Sequence, residues 1–132
     1  MVISYKFSKN EKLKSKTAIE LLFSKGKSIH AFPLRVVYLK KINCTGTLVN
    51  AGVSVPKKNI KLAVNRNLLK RRIREAYRLN NNELKIQLKK SGIEINLMFI
   101  YTSKQILPYQ EIEDKIKVIL SRLNELSEVV SE

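Results

Sequence analysis

The residues that speak most directly of chemistry are cations at helical spacing. Arg66, Lys70 and Arg74 recur every four residues, and Asn67, Arg71 and Arg78 fall beside them at 100° per residue. On a helix these side chains project along one contiguous arc. An arginine guanidinium can grip a phosphate through two parallel hydrogen bonds, whereas a lysine ammonium acts as a compact point charge. Such contacts supply affinity and salt sensitivity but little sequence reading. Residues 57–78 hold nine basic side chains, Lys57, Lys58 and Lys61 among them, against one acid, Glu75. A merely solvated face interleaves both signs. A run this one-sided repels itself until something anionic neutralises it.

Enzymatic chemistry is poorly provided for. His30 and Cys44 are the sole histidine and cysteine, too few for a His/Cys zinc site or a disulfide. There is no Gly-rich phosphate loop and no Gly-x-Ser-x-Gly. The acids gather near the C-terminus, where Glu111 and Glu113 do not share a helix face. No catalytic residue and no metal ligand is assigned.

The elements that must position the cations can be read coarsely. The chain has 132 residues, 26 Lys+Arg and 11 Asp+Glu, a net charge of +15. That length suits a single domain over 1–132, with residues 1–11 expected to form a mobile basic arm and 127–132 a frayed tail. No run reaches the roughly 18 apolar residues of a membrane span, and the start lacks a signal-peptide pattern, so a cytoplasmic protein is expected. Residues 15–25 suit a helix ended by Gly26. Pro33 precedes a strand, Leu34–Lys40, with Leu34, Val36 and Tyr38 on one face. Residues 43–46 read as a turn. Thr47–Val55 reads as a second strand, its small polar face of Asn50, Gly52 and Ser54 either solvated or flooring a cleft. Residues 62–79 carry the apolar stripe Leu62, Leu69, Ile73 and Ala76, with Tyr77 at its margin. A polar, helix-compatible stretch runs up to Gly92. Ile93–Tyr101 alternates as a strand, and Pro108 opens a last helix with the stripe Ile112, Ile116, Ile119, Leu123 and Leu126. The order is helix, strands, helix, strand, helix, an α+β domain with a central sheet. Tyr38 on an open sheet face, and Phe23 from the first helix, could stack unpaired bases.

The stretch Val53–Arg78 resembles the protein component of bacterial ribonuclease P. That family carries Ser-Val-x-Lys-Lys at a strand end, matched here by Ser54, Val55, Lys57 and Lys58. Its helix motif, Arg-Asn-Arg-x-x-Lys-Arg-x-x-Arg, is matched in register by Arg66, Asn67, Lys70, Arg71 and Arg74. Phe23-x-x-Gly26 and the Ile93–Tyr101 strand also fit, and the resemblance spans about residues 12–125. Leu68 stands where the family has its second Arg; Arg72, one turn on, is expected to supply the displaced guanidinium.

The resemblance implies a mostly antiparallel sheet with a left-handed βαβ crossover. It implies an endoribonuclease holoenzyme whose catalyst is its RNA, using magnesium to release the 5′ leader of precursor tRNA; no cofactor is expected on the protein itself. Lys57, Lys58, Lys61, Arg66, Asn67, Lys70, Arg71, Arg72, Arg74 and Arg78 would bind RNA. Phe23, Tyr38, Asn50 and Ser54 would line a cleft for the single-stranded leader. The alternative is a structural protein of ribosomal RNA. A DNA-binding architectural protein would need a dimer interface or minor-groove wedge, and a membrane-surface protein an exposed apolar helix face.

Overall fold

The computed structural model describes residues 12–13, 15–41 and 46–130, with side chains described up to residue 125. The expected arm over 1–11, the turn over 43–45 and the side chain of Leu126 lie outside the described residues.

Helix α1 (Lys16–Lys25) starts at Ser15, whose hydroxyl accepts a hydrogen bond from the Ala18 N–H at 3.3 Å. It stops at Gly26 for a steric reason, since φ there is an ordinary −70°. A Cβ would lie 2.3 Å from the Leu22 carbonyl oxygen and 2.7 Å from Val37 Cγ1, so only glycine lets the chain leave the helix this close to the sheet. It then forms strand β1 (Lys27–Ala31), which the sequence pattern did not predict. This edge strand buries only Ile29, so it shows no apolar alternation. His30 lies in it, exposed. A Phe32-Pro33 turn leads to β2 (Leu34–Lys40), followed by β3 (Val49–Ser54) and helix α2 (Ala63–Asn80).

The polar stretch after α2 is indeed helical, as α3 (Asn82–Ser91). Gly92 ends it at φ 70°, a left-handed conformation natural for glycine. Its N–H donates to the Lys89 carbonyl and the Ile93 N–H to the Leu88 carbonyl, the Schellman pattern. Strand β4 (Ile95–Tyr101) and helix α4 (Tyr109–Val130) complete the chain, α4 running on through four of the residues expected to fray.

The sheet order is β1-β2-β4-β3. β1–β2 and β2–β4 are antiparallel, and β3–β4 is parallel, bridged by α2 and α3. Helices α2 and α4 cover one face. Their stripes (Leu69, Ile73, Ala76, Tyr77; Ile112, Ile116, Ile119, Leu123) meet Val36, Ala51, Leu97, Phe99 and Tyr101 in the main core. Tyr77 is fully part of this core, and Leu62 is not. Leu62 is the N-cap of α2 and 64% exposed, because the helix begins one residue after it and the chain there is leaving the sheet. On the other face, among the described residues, Leu22 of α1 meets Val37 and Met98 in a second, smaller core, with Leu13 packed against it. Among the described residues, no helix is long and apolar enough to cross a membrane.

Candidate nucleic-acid interface

Helix α2 sets the positions of the cations. Its inner stripe fixes its rotation against the sheet. Its side toward α4 is fixed by two hydrogen bonds: Arg72 Nη1 donates to the Leu107 carbonyl at 2.7 Å, and Asn80 Nδ2 to Glu113 Oε2 at 3.2 Å. Two residues correspond to about 200° of rotation. Lys70 and Arg74 therefore project on the flank opposite Arg72, with exposed Asn67 and Arg71 beside them. None of Lys70, Arg71 and Arg74 has a carboxylate partner among the described residues. This arc is what the spacing predicts.

Three of the expected RNA-binding cations have other engagements. Arg66 Nη1 reaches back to the Ile60 and Lys61 carbonyls at 3.0 and 2.7 Å, clamping the loop before α2. Arg78 pairs with Glu75, three residues earlier on the helix. That hydrogen bond holds the Glu75 carboxyl below its usual range and keeps a negative charge beside Arg78. Arg72 is close to Leu68 in projection, but its guanidinium is turned to Leu107. It ties α2 to the loop before α4 and stands apart from the arc.

Lys57, Lys58 and Lys61 are exposed on the β3–α2 loop. The loop is held at its start by Pro56, whose carbonyl accepts from the Asn59 and Ile60 N–H groups. It is held at its middle by Asn59 Nδ2, donating to the Tyr101 carbonyl at 3.2 Å. Buried Ile60 anchors it to the core.

The expected leader cleft comes out differently. Register places Tyr38 in the row Tyr38–Leu97–Ala51, which faces the main core. Asn50 and Ser54 are on the opposite face, the one that carries α1, so Tyr38 cannot join them. The alternation rule put Tyr38 with Leu34 and Val36 correctly; what the sequence could not show was which face each strand shares with its neighbours. Burial raises the Tyr38 hydroxyl above its ordinary pKa, in keeping with a ring packed against the core. Phe23 is 48% exposed on α1 and available to a ligand.

Asn50 and Ser54 stand four residues, about 13 Å, apart on β3, with Gly52 between them in the row Gly52–Met98–Val37. Leu22 packs on that row. Ser54 instead shares its row with Ile100, Arg35 and His30. Arg35 Nε donates to Ser28 Oγ at 3.4 Å. Arg35 is a cation on this face that helical spacing could not reveal; its alternation with Leu34 and Val36 along the strand was the available signal. Among the described residues, no group of three His, Cys, Asp or Glu side chains could hold a metal ion.

Comparison with known proteins agrees with this geometry. A family model described as Ribonuclease P matches residues 7–124. The chain is 33% identical over 120 residues to the ribonuclease P protein component of Porphyromonas gingivalis ATCC 33277, covering 91% of this chain and 88% of the relative. It is 37% identical over 78 residues to that of Buchnera aphidicola from Acyrthosiphon pisum, covering 59% and 66%. Among solved structures, the Staphylococcus aureus RNase P protein superposes with a TM-score of 0.68 at 20% identity, over 85% of this chain and 94% of the other. The Thermotoga maritima RNase P protein gives 0.65 at 24% identity, over 85% and 96%. These two share the fold.

Proposed function

The chain belongs to the ribonuclease P protein family, and from that premise we propose how its surfaces divide the work of the ribonucleoprotein. It is the protein subunit of ribonuclease P, partner of the ribonuclease P RNA in maturing the 5′ end of tRNA. The holoenzyme is an endoribonuclease whose chemistry resides in the RNA. In our reading the RNA performs it with bound magnesium, and the assembly works in the cytoplasm.

The observation that carries the division of labour is the flank of α2 that carries Lys70 and Arg74. It is rigid, cationic, turned away from α4 and, among the described residues, without a carboxylate partner. Structured RNA presents phosphates at fixed spacing, and a rigid row of cations suits that target better than a flexible tail. We assign this flank, with Asn67 and Arg71, and separately the Lys57–Lys58 loop, to the ribonuclease P RNA. Arg66 serves mainly to hold that loop, and Arg78 contributes least because of Glu75.

The α1 side of the sheet is assigned to the single-stranded 5′ leader of precursor tRNA. Phe23 offers an exposed ring for stacking, and Arg35 and Ser54 offer polar contacts one row along.

The test is cleavage of end-labelled precursor tRNA at low magnesium by the cognate RNA, with and without this protein. Leader removal at the mature 5′ end only when both are present is the expected result. Equal cleavage with and without the protein would overturn the assignment.

A further inference from the structure

We propose that the groove between the β3–α2 loop and the β4–α4 loop is a second RNA site, which takes an unpaired nucleotide of the ribonuclease P RNA. It lies on the side of α2 opposite the Lys70–Arg74 flank and rests on the reading of this chain as that RNA's partner. The groove encloses about 590 Å³ and is lined by Lys58, Lys61 and Lys104, with Leu62 and Ile106 at its lips.

Three features point to a nucleotide. First, the fold gathers three lysines from two distant segments. None has a side-chain partner among the described residues, so the groove is an anion site by charge. Second, α2 begins here without help. Its N-cap is Leu62, with no side-chain hydrogen bond to the helix and no acid in the first turn. The positive end of the helix therefore adds to the lysines' field. Third, the lips are apolar and open: Leu62 is 64% exposed and Ile106 42%. A groove both cationic and apolar matches a ligand with a phosphate at one end and a flat, weakly hydrated base at the other.

Both walls are fixed before anything binds. Arg66 and Asn59 hold the first loop. The second is held by Tyr101, whose hydroxyl donates to the Gln105 carbonyl at 2.6 Å and accepts from the Leu107 N–H at 3.1 Å. Arg72 closes it through the Leu107 carbonyl. A preformed groove loses little entropy on binding and suits a bulged nucleotide held out by a folded RNA. The groove also adjoins α2, assigned above to that RNA, and lies across the sheet from the leader face.

The experiment titrates the full-length protein against ribonuclease P RNA over a range of salt, with folding followed by circular dichroism. Lys104→Ala is expected to weaken binding several-fold and to lower the slope of log affinity against log salt by about 1. Ile106→Ser should weaken binding with the slope unchanged, because it removes apolar contact and no charge. Lys70→Ala is the control for the parent reading. Loss with Lys70→Ala and none with the groove variants overturns the groove alone; no loss with any of them overturns both. A second arm adds precursor tRNA with and without a leader. Loss seen only when the leader is present would mean that the groove holds substrate, and would overturn the assignment to the catalytic RNA.

Discussion

At the scale of single residues, a buried ion pair has a large energetic consequence. Lys41 Nζ lies 3.5 Å from Glu94 Oε1, with side-chain exposures of 6% and 10%. Glu94 Oε2 also accepts the Gly46 N–H at 3.0 Å, and Lys41 Nζ donates to the Thr47 carbonyl at 2.6 Å. The pair thus fastens the far side of the β2–β3 loop to the start of β4. Removing one partner takes the counter-ion from a charge with little access to water, at a cost of about 3–5 kcal/mol. Glu94→Leu should lower the urea midpoint sharply, and Lys41→Met with Glu94→Leu should recover part of the loss. Equal or greater destabilisation in the double variant would show that loss of the counter-ion is not the cause. Tyr109 makes a second residue-scale case. Burial, and then its hydrogen bond to Glu113, push its hydroxyl from the ordinary 10.0 up to about 12. The folded state keeps this proton at pH values where the unfolded chain has released it, so the contribution is present below pH 10.0 and lost as pH rises toward about 12. Tyr109→Phe should flatten stability against pH over that alkaline window and leave the slope below it unchanged, as read from denaturation midpoints.

At the scale of elements, the helices were far more legible than the sheet. The stripe and cation arc of α2 follow from 3.6-residue periodicity, a local property, and only its margins shifted: Leu62 fell outside the core and Tyr77 inside it. Gly26 and Gly92 were both legible as helix ends, though for different physical reasons, one steric and one conformational. β1 was hidden because an edge strand with one buried residue has no period to read. Tyr38 was misplaced for a different reason. Alternation gives the two faces of one strand, but the face it shares with another strand depends on register, which is set by long-range pairing. The two aromatics should therefore behave differently. Phe23→Ala should weaken binding of precursor tRNA carrying a leader while leaving mature tRNA unaffected, measured as the ratio of the two affinities in the holoenzyme. Tyr38→Ala should lower the melting temperature and leave that ratio unchanged. A ratio that falls for Tyr38→Ala and holds for Phe23→Ala would reverse the assignment of faces.

At the scale of the whole molecule, the net charge of +15 is the property that most constrains its role. Docking a polyanionic substrate on a polyanionic catalyst is opposed by phosphate repulsion. Two agents can reduce it: divalent cations condensed on the RNA, and a basic protein laid between the two strands' surfaces. They act on the same term, so each matters most when the other is scarce. The protein presents cations on separate surfaces, the α2 flank and the loop lysines, so it can neutralise phosphates on more than one side at once. The gain in cleavage rate on adding the protein should accordingly be large at low magnesium and shrink as magnesium rises, and added monovalent salt should reduce the protein's affinity for the RNA. Single-turnover cleavage of precursor tRNA across a magnesium series, at fixed ionic strength, measures this directly. A rate gain independent of magnesium would mean that the protein acts by shaping the RNA or positioning the leader, with charge neutralisation a minor part.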